Sequence, residues 1–288
     1  MSINTIVAPM TGGPTDGPAL DAALAMAGTT NAHVQALYLH PDPKHVALPQ
    51  VGEGMTAAMI DTLIEAAEQR IQSDRTQAQA SYDAWRKSND IEEVDTPGPR
   101  NRVTAQFSVV QGEPSGSLAK IGRNADMVCM IQPSDDDEPE LANLVTTALM
   151  DTGKLLLLSP NGAKSVPVRS VAVAWNGSRE AARAVALAMP MLERAEQVTV
   201  LAGTSDMLTP ADVNAFVDSL KWHGVNAVPR MFTMNGDQAG RLQAEAMDVG
   251  AQVLVLGAYS HSRMREFVFG GVTDDIMNAA RMPVLMAH

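Results

Sequence analysis

A turn near the end of the chain carries residue types that suit a phosphate group. The segment GAYSHSRMREFVFGGVTDDIM (257–277) ends an apolar run and combines glycines, hydroxyls, a histidine and an arginine. Glycines let backbone N–H groups approach an anion closely, hydroxyls donate hydrogen bonds, and a helix N-terminus adds its positive end. In the plainer interpretation, Gly257 is only a turn glycine, and Gly270 and Gly271 only interrupt a helix. The candidate phosphate-contacting residues are Gly257, Ser260, His261, Ser262, Arg263, Gly270, Gly271 and Thr273.

The sequence offers no clear catalytic or metal motif. Local spacing places no carboxylate or nucleophile beside His261, and there is no Cys/His metal spacing, nucleophile elbow or Walker loop. The acidic run 135–137 is either a metal site or, as we favour, a solvated loop or helix N-terminus. The segment TGGPTDGP (11–18) resembles the SGGxDS loop of ATP pyrophosphatases only loosely, because Thr15 and Asp16 stand at its Asp and Ser positions. A Gly/Pro turn with Asp16 near a helix start is the better interpretation, so we assign no catalytic and no metal-binding residue.

Alternating strands and helices position this turn. Amphipathic stretches separate short apolar runs; residues 178–192, for example, carry an apolar stripe after Ser178, the expected N-cap. Runs that are apolar nearly throughout suit parallel strands covered on both faces. The pattern therefore predicts an α/β fold with open parallel sheets. The predicted strands are 3–9, 32–39, 103–110, 127–132 and 154–159, followed by 170–175, 197–203, 227–232, 252–258 and 283–288.

The two series of strands are copies of one pattern. INTIVAPMTGG matches SVAVAWNGS, and GEPSGSLAKIGRNADMVCMI matches GDQAGRLQAEAMDVGAQVLVL. The segment SPNGAKSVPVR (159–169) between the series is rich in Pro, Gly and Ser, which is typical of a linker. We expect two tandem domains, at 1–162 and 168–288, each with five strands and helices on both faces.

The first copy contains a long insert. Residues 55–87 have a helical pattern that would span about 45–50 Å at 1.5 Å per residue. Such a helix either overhangs its own domain or packs its end on the sister domain or on a partner chain. The polar, Pro/Gly-rich segment 89–101 that follows is predicted to be a loop.

Composition limits the partners and the compartment. The 21 Lys and Arg against 33 Asp and Glu give a net charge of -12, which repels nucleic acids and anionic lipids. Cys129 is the only cysteine, so no intramolecular disulfide forms, and its apolar surroundings favour a core residue over a reactive thiol. No signal peptide and no stretch of about 20 apolar residues is present. We expect a cytoplasmic protein with no nucleic-acid or membrane partner.

Several segments resemble the universal stress proteins, in the tandem form with two such domains in one chain. They are VAWNGSREAARAV (173–185), VLGAYSHSRMREFVFGGVT (255–273) and the closing MPVLMAH, and the resemblance covers nearly the whole chain. It implies a Rossmann-like fold. ATP-binding members carry Gly, two residues, Gly, nine residues, then Gly followed by Ser or Thr. In this chain Ser260 replaces the second Gly and Gly271 replaces the Ser or Thr, so Thr273 would supply the hydroxyl.

The resemblance also implies a function. Nucleotide-binding members tend to carry Asp near the adenosine just after the first strand, where this chain has Asn176. The chain would be a regulatory stress-response protein that binds ATP, AMP or a similar phosphate-bearing ligand in the C-terminal domain, with Mg²⁺ accompanying a triphosphate. A nucleotide-independent interaction module and a slow nucleotide hydrolase are the alternatives.

Two further expectations concern the first half of the chain and the oligomeric state. The equivalent turn of the first half, IQPSDDDEPELANL (131–144), has no glycine and five acidic residues, which predicts that it binds no nucleotide. Members of the family commonly pair through their last strand. A tandem chain would satisfy this pairing internally, as a pseudo-dimer, and a homodimer of whole chains is a further expectation.

Overall fold

A single sheet runs through the part of the chain that the computed structural model describes, residues 2–47, 55–98, 101–134, 139–163, 166–204, 208–234, 236–259 and 271–288. The strands within these residues are β1 (Thr5–Met10), β2 (His33–His40), β3 (Glu92–Glu93), β4 (Thr104–Gln111), β5 (Met127–Ile131), β6 (Leu155–Ser159), β7 (Ser170–Ala174), β8 (Gln197–Gly203), β9 (Ala227–Phe232), β10 (Val253–Gly257) and β11 (Val284–Ala287). The helices are α1 (Asp16–Ala27), α2 (Pro43–Ala47), α3 (Ala57–Ser88), α4 (Pro114–Gly122), α5 (Pro139–Met150), α6 (Arg179–Leu192), α7 (Pro210–Trp222), α8 (Gln238–Asp248) and α9 (Val272–Ala279).

The sheet consists of two halves with the same strand order. The order is β3-β4-β2-β1-β5-β6-β11-β10-β7-β8-β9, so β4-β2-β1-β5-β6 in the first half matches β9-β8-β7-β10-β11 in the second. Strands pair in parallel within each half, and β6 pairs antiparallel with β11, with Leu157 opposite Leu285. The predicted α/β class with an open, mostly parallel sheet is confirmed. The internal pairing of the two last strands gives the chain its pseudo-dimeric arrangement.

Helices cover both faces of the sheet. Residues of α1, α3, α6 and α7 pack in one apolar cluster with one set of strand side chains, and residues of α4, α5, α8 and α9 pack in a second cluster with the other set. Cys129 belongs to the first cluster and is fully buried, and this burial raises the pKa of its thiol well above its usual range. A buried, protonated thiol is unreactive, in agreement with the prediction of a core residue.

The repeated sequence pattern has a structural explanation at two positions. The Oδ2 atom of Asp126, just before β5, accepts the N–H groups of Asn4 and Thr5 at 2.8 and 3.1 Å. Gln252, just before β10, holds Arg169 and Ser170 in the same way, at 2.6 and 2.9 Å. Asp126 and Gln252, at equivalent positions of the repeated pattern, therefore tie the start of β5 to β1 and the start of β10 to β7.

In each half, an acidic residue that directly follows a glycine of the repeated pattern caps a helix. Glu113 accepts backbone N–H groups in the first turn of α4, and Asp237 accepts the Gly240 N–H at 2.7 Å in the first turn of α8. An acceptor at this position satisfies N–H groups that have no partner within the helix. The Gly-acid pairs of the sequence are thus helix starts.

The long helix predicted over 55–87 is confirmed as α3. Its buried residues are Ala67, Ala78, Tyr82 and Trp85, and its packing partners are α1, α2, β2 and β4 of its own half. The segment predicted as a loop contains one short strand, β3, which pairs with Thr104 and Ala105 of β4. The prediction of five strands in the first half was therefore one short strand too few. Two acidic residues give no strand signal by composition.

Candidate functional site

The strand order reverses next to β7 and next to β1, which marks one candidate crevice in each half. In open α/β sheets, ligands bind beyond the carboxyl ends of the strands at such a point. β7 lies between β8 and β10, with Val255 opposite Val173. The same register continued by two residues places Gly257 opposite Trp175. We call this edge of the sheet the β7–β10 crevice, and its counterpart in the first half the β1–β5 crevice.

Asn176 lies at the mouth of the β7–β10 crevice. It is exposed, and its Oδ1 atom accepts the Ser178 N–H at 3.1 Å. Gly177 between them has a φ of 73°, a left-handed conformation that favours glycine. Ser178 is the N-cap of α6, as predicted, and accepts the Ala181 N–H at 3.1 Å. The tight turn into α6 therefore holds the Asn176 side chain at the surface, at the mouth of the crevice.

Gly257 lets α6 approach the end of β10. A Cβ atom at this position would lie 2.2 Å from the Ala181 nitrogen and 2.3 Å from the Glu180 carbonyl carbon. Both atoms are backbone atoms of the first turn of α6, so neither can rotate away. The close approach of this helix by itself requires glycine at position 257.

Beyond Gly257 the chain is tied to the start of α9. Tyr259 has a φ of 56°; its N–H donates to Thr273 Oγ1 at 3.1 Å and its hydroxyl donates to Asp274 Oδ1 at 2.7 Å. Burial and the Asp274 carboxylate raise the pKa of Tyr259 above its usual range. Thr273 is buried and accepts from Tyr259, and a threonine hydroxyl can also donate one hydrogen bond. Gly271, the N-cap of α9, has a φ of 154°, which also favours glycine.

Carboxylates surround the helix N-termini of this crevice. Asp274 and Asp275 lie in the first turn of α9, and Glu180 lies in the first turn of α6. They interact favourably with the positive ends of the helices and compete there with a ligand phosphate. Sequence reasoning missed this competition, because it weighed the glycines and hydroxyls of the segment and not its carboxylates. The predicted contacts Ser260, His261, Ser262, Arg263 and Gly270 lie outside the described residues.

An aromatic pair lines the same edge. The rings of Trp175 and Phe216 stack with their centroids 3.6 Å apart and their planes 2° from parallel. Trp175 directly follows β7, and Phe216 comes from α7, so the pair joins the β7–α6 turn to the neighbouring helix. Sequence reasoning missed the pair because the two residues are far apart along the chain.

In the first half, the chain itself covers the β1–β5 crevice. Gly12 is the counterpart of Gly177 and has a similar φ of 81°, but a Cβ atom on Gly12 would lie 2.4 Å from the Asp74 carbonyl oxygen of α3. The Tyr38 hydroxyl, at the end of β2, donates to the Ile71 carbonyl of the same helix at 3.1 Å. The long helix thus lies directly over the turn that follows β1.

A buried carboxylate takes up the backbone donors of the β1–β5 crevice. Asp16, the first residue of α1, is 1% exposed and accepts the N–H groups of Thr11 and Gly12, both at 2.9 Å. These N–H groups follow β1 and are the kind that would otherwise hold an anion. Burial raises the pKa of Asp16, against the lowering effect of its hydrogen bonds. The prediction that Asp16 lies near a helix start is confirmed.

The described residues offer neither a metal-binding cluster nor a membrane-spanning helix. They contain no group of three or more His, Cys, Asp or Glu residues that could hold a metal ion, and the acidic run 135–137 lies outside them. Within the same residues, each helix is too short or too polar to cross a membrane.

Comparison with known proteins identifies the fold. No protein-family model and no curated protein matches the sequence. Among solved structures, a universal stress protein from Archaeoglobus fulgidus is 14% identical with a TM-score of 0.68, over 99% of this chain and 96% of that one. A proposed universal stress protein from Pseudomonas aeruginosa is 13% identical with a TM-score of 0.54, over 99% and 93%.

A third structure, a protein of unknown function from Pseudomonas aeruginosa, is 12% identical with a TM-score of 0.55 over 99% of this chain and 92% of that one. The chain is thus a doubly wound α/β protein in two matching halves. Over its full length it has the fold of the universal stress proteins, and the resemblance predicted from the sequence is confirmed at the level of the fold.

Proposed function

We propose that this chain is a cytoplasmic regulatory protein of the universal stress type that binds one adenine nucleotide in the β7–β10 crevice. In this proposal residues 1–162 and 168–288 are its two domains, the first a scaffold and the second the nucleotide-binding domain. The fold supports the general class, since the full-length neighbours include universal stress proteins. The choice of crevice depends on a comparison of equivalent residues in the two halves.

The observation that best supports the choice of the β7–β10 crevice is the contrast between Gly12 and Gly177. The two glycines occupy the same turn with the same left-handed backbone. Backbone atoms of α3 press against Gly12, whereas among the described residues the nearest atom to a Cβ on Gly177 is Leu208 Cδ1, at an ordinary 3.7 Å. Asp16 uses the backbone donors of the first turn, whereas Asn176 is exposed in the second. We therefore assign the ligand to the second crevice, since α3 and Asp16 already occupy the equivalent turn of the first.

The side chains suggest how a nucleotide would bind. Asn176 would hydrogen-bond the nucleoside, and the Thr273 hydroxyl and the backbone at Gly271 would meet the first phosphate, together with the predicted contacts in 260–270. Asp274 and Asp275 add negative charge beside α9. Each further phosphate increases the repulsion unless Mg²⁺ intervenes, so we expect AMP to bind more tightly than ATP in the absence of Mg²⁺.

Thermal unfolding with and without nucleotide tests the proposal. A ligand present at about 100 times its Kd stabilises the folded protein by about 2.7 kcal/mol, which raises the Tm by several degrees. The Asn176→Ala variant should lose most of this shift. Thr11→Ala, the equivalent change in the first half, should keep it, after each variant is compared with its own ligand-free Tm. The absence of any shift with AMP, ADP or ATP would refute nucleotide binding.

A nucleotide-independent interaction module is the second candidate, and one observation favours it. The N-termini of both helices at the β7–β10 crevice, α6 and α9, carry carboxylates that oppose a bound phosphate. Under this alternative the same titrations leave the Tm of the wild-type chain unchanged, and Asn176→Ala has no effect on binding of any kind. Sedimentation of the unliganded chain would then test the expected homodimer.

A further inference from the structure

The two outer edges of the sheet are built differently. β4 and β9 are equivalent strands, since β4 pairs with the outer side of β2 and β9 with the outer side of β8. β9 forms one edge of the sheet. At the other edge β3 pairs with β4 only at Thr104 and Ala105. Among the described residues, no strand pairs with the outer side of β4 beyond Ala105, over residues 107–111.

The hydrogen-bond ladder shows which groups of β4 point outward. The Val94 N–H donates to the outward carbonyl of Ala105, whereas the Gly112 N–H donates inward to His40 of β2. Because backbone groups alternate between the two sides of a strand, Phe107, Val109 and Gln111 turn their N–H and C=O groups outward. Such a row of unpaired groups is a template for an added strand.

The equivalent edge in the second half carries a proline. The Asn226 carbonyl accepts the Val198 N–H of β8, and the Phe232 carbonyl accepts the N–H of the residue after β8, so both carbonyls point inward. Because backbone groups alternate between the two sides of a strand, Pro229 is an outward position of β9. Its counterpart in the first half, by the register of each half, is Phe107. Proline has no N–H and is a common means of protecting an edge. Of the two edges that the structure describes, the β4 edge therefore offers the complete outward donor row.

Side chains beside this edge indicate what would bind. An open groove of about 460 Å³ lies where β3 leaves β4, lined by Glu93, Val94, Asp95, Gln106, Phe107 and Ser108. Phe107 and Val109 are half-buried against the cluster that contains α3, so their remaining apolar surface is available to a neighbour. Glu93 and Asp95 are exposed carboxylates, and Glu93 also pairs with Arg86 at 3.6 Å. A guest strand with apolar and basic side chains matches this combination.

We propose that the outer edge of β4, Phe107–Gln111, captures an extended Lys- or Arg-containing segment of a partner protein as an added strand. The backbone ladder supplies affinity, and the neighbouring carboxylates select a basic segment. A second copy of this chain fits less well, because each copy carries a net charge of -12 and the added charges would repel. The proposal is independent of nucleotide binding.

Fluorescence anisotropy with the full chain tests the proposal. The probe is a labelled peptide of alternating Val and Lys, and its control is the same peptide with alternate backbone nitrogens methylated, which keeps the charge and removes ladder hydrogen bonds. We expect saturable binding of the first peptide and a loss of about tenfold or more for the second, since one hydrogen bond is worth about 1 kcal/mol or more. Equal binding of the two peptides would overturn the proposal, because charge alone would then explain it.

Variants test the location of the site. Val109→Pro removes an outward N–H and should weaken peptide binding by about tenfold, whereas Val109→Ala keeps the N–H and should change it less than about threefold. Pro229→Val should restore the donor row of β9 and add a second binding site. Unchanged binding in a folded Val109→Pro variant would overturn the proposed location. A dimer of the free chain that Val109→Pro dissociates would make a second copy the occupant and overturn the basic partner.

Discussion

Replacing Gly257 by alanine distinguishes the two interpretations of this glycine. The new Cβ would lie 2.2 Å from the Ala181 nitrogen and 2.3 Å from the Glu180 carbonyl carbon, whereas ordinary contacts begin at 3.4 Å. The first turn of α6 would therefore have to move by about 1 Å, and with it the buried residues that pack the helix on the sheet. Overpacking of this kind typically costs about 1–3 kcal/mol. We expect a loss near the top of that range, since backbone atoms cannot rotate away.

Urea unfolding followed by circular dichroism, without added nucleotide, measures this effect. A slope of about 2–3 kcal/mol per molar urea converts the loss into a decrease of about 1 M in the unfolding midpoint. Gly17→Ala is the matched control, because Gly17 lies in helix α1 and a Cβ there meets no other part of the described chain within 4 Å. It should stabilise the protein by up to about 1 kcal/mol. A Gly257→Ala variant as stable as wild type would refute the helix-packing explanation and favour close approach of a ligand.

Two further predictions concern stability. Burial raises the pKa of every tyrosine in the chain, that of Tyr38 to about 12, so a phenol absorbance titration should stay nearly flat through pH 10, where unfolded tyrosines are half ionised. A raised pKa means that stability is fully present below pH 10 and is lost above it, so the Tm should fall between pH 10 and 12; an early rise in absorbance without unfolding would contradict this. Asp126→Ala leaves the N–H groups of Asn4 and Thr5 without their acceptor and should cost about 1–3 kcal/mol, whereas Asp126→Asn should cost less; equal melting of both variants would show that the tie carries no energy.

The sequence pattern was a good guide to the strands. All ten predicted strands are present, with ends within two residues of those observed. Runs such as MVCMI and LLLLS are buried on both faces, so hydrophobicity alone marks them. β3 was missed because Glu92 and Glu93 pair through their backbone, and neither side chain is buried. The pairing of β6 with β11 was expected from family resemblance only, since no local pattern encodes a contact between distant strands.

The candidate site was less predictable than the fold. Gly257, Gly271 and Thr273 were singled out by type and spacing, and Asn176 by the family resemblance, but their contacts depend on elements far away in sequence. The approach of α6 to Gly257 is one example, and the position of α3 over Gly12 is another. Asp16 shows the same limit: its place near a helix start followed from the sequence, but its burial did not. Tertiary packing, which a single sequence does not display, decides that α3 covers one of two similar turns.

The stoichiometry of AMP binding, measured by isothermal titration calorimetry on the full chain, tests the central proposal most directly. The contrast between Gly12 and Gly177 predicts one AMP per chain, weakened at least about tenfold by Asn176→Ala and little changed by Thr11→Ala. Two sites per chain would contradict the inference that α3 and Asp16 close the first crevice. No binding heat at several temperatures would contradict the proposal that the β7–β10 crevice holds a nucleotide.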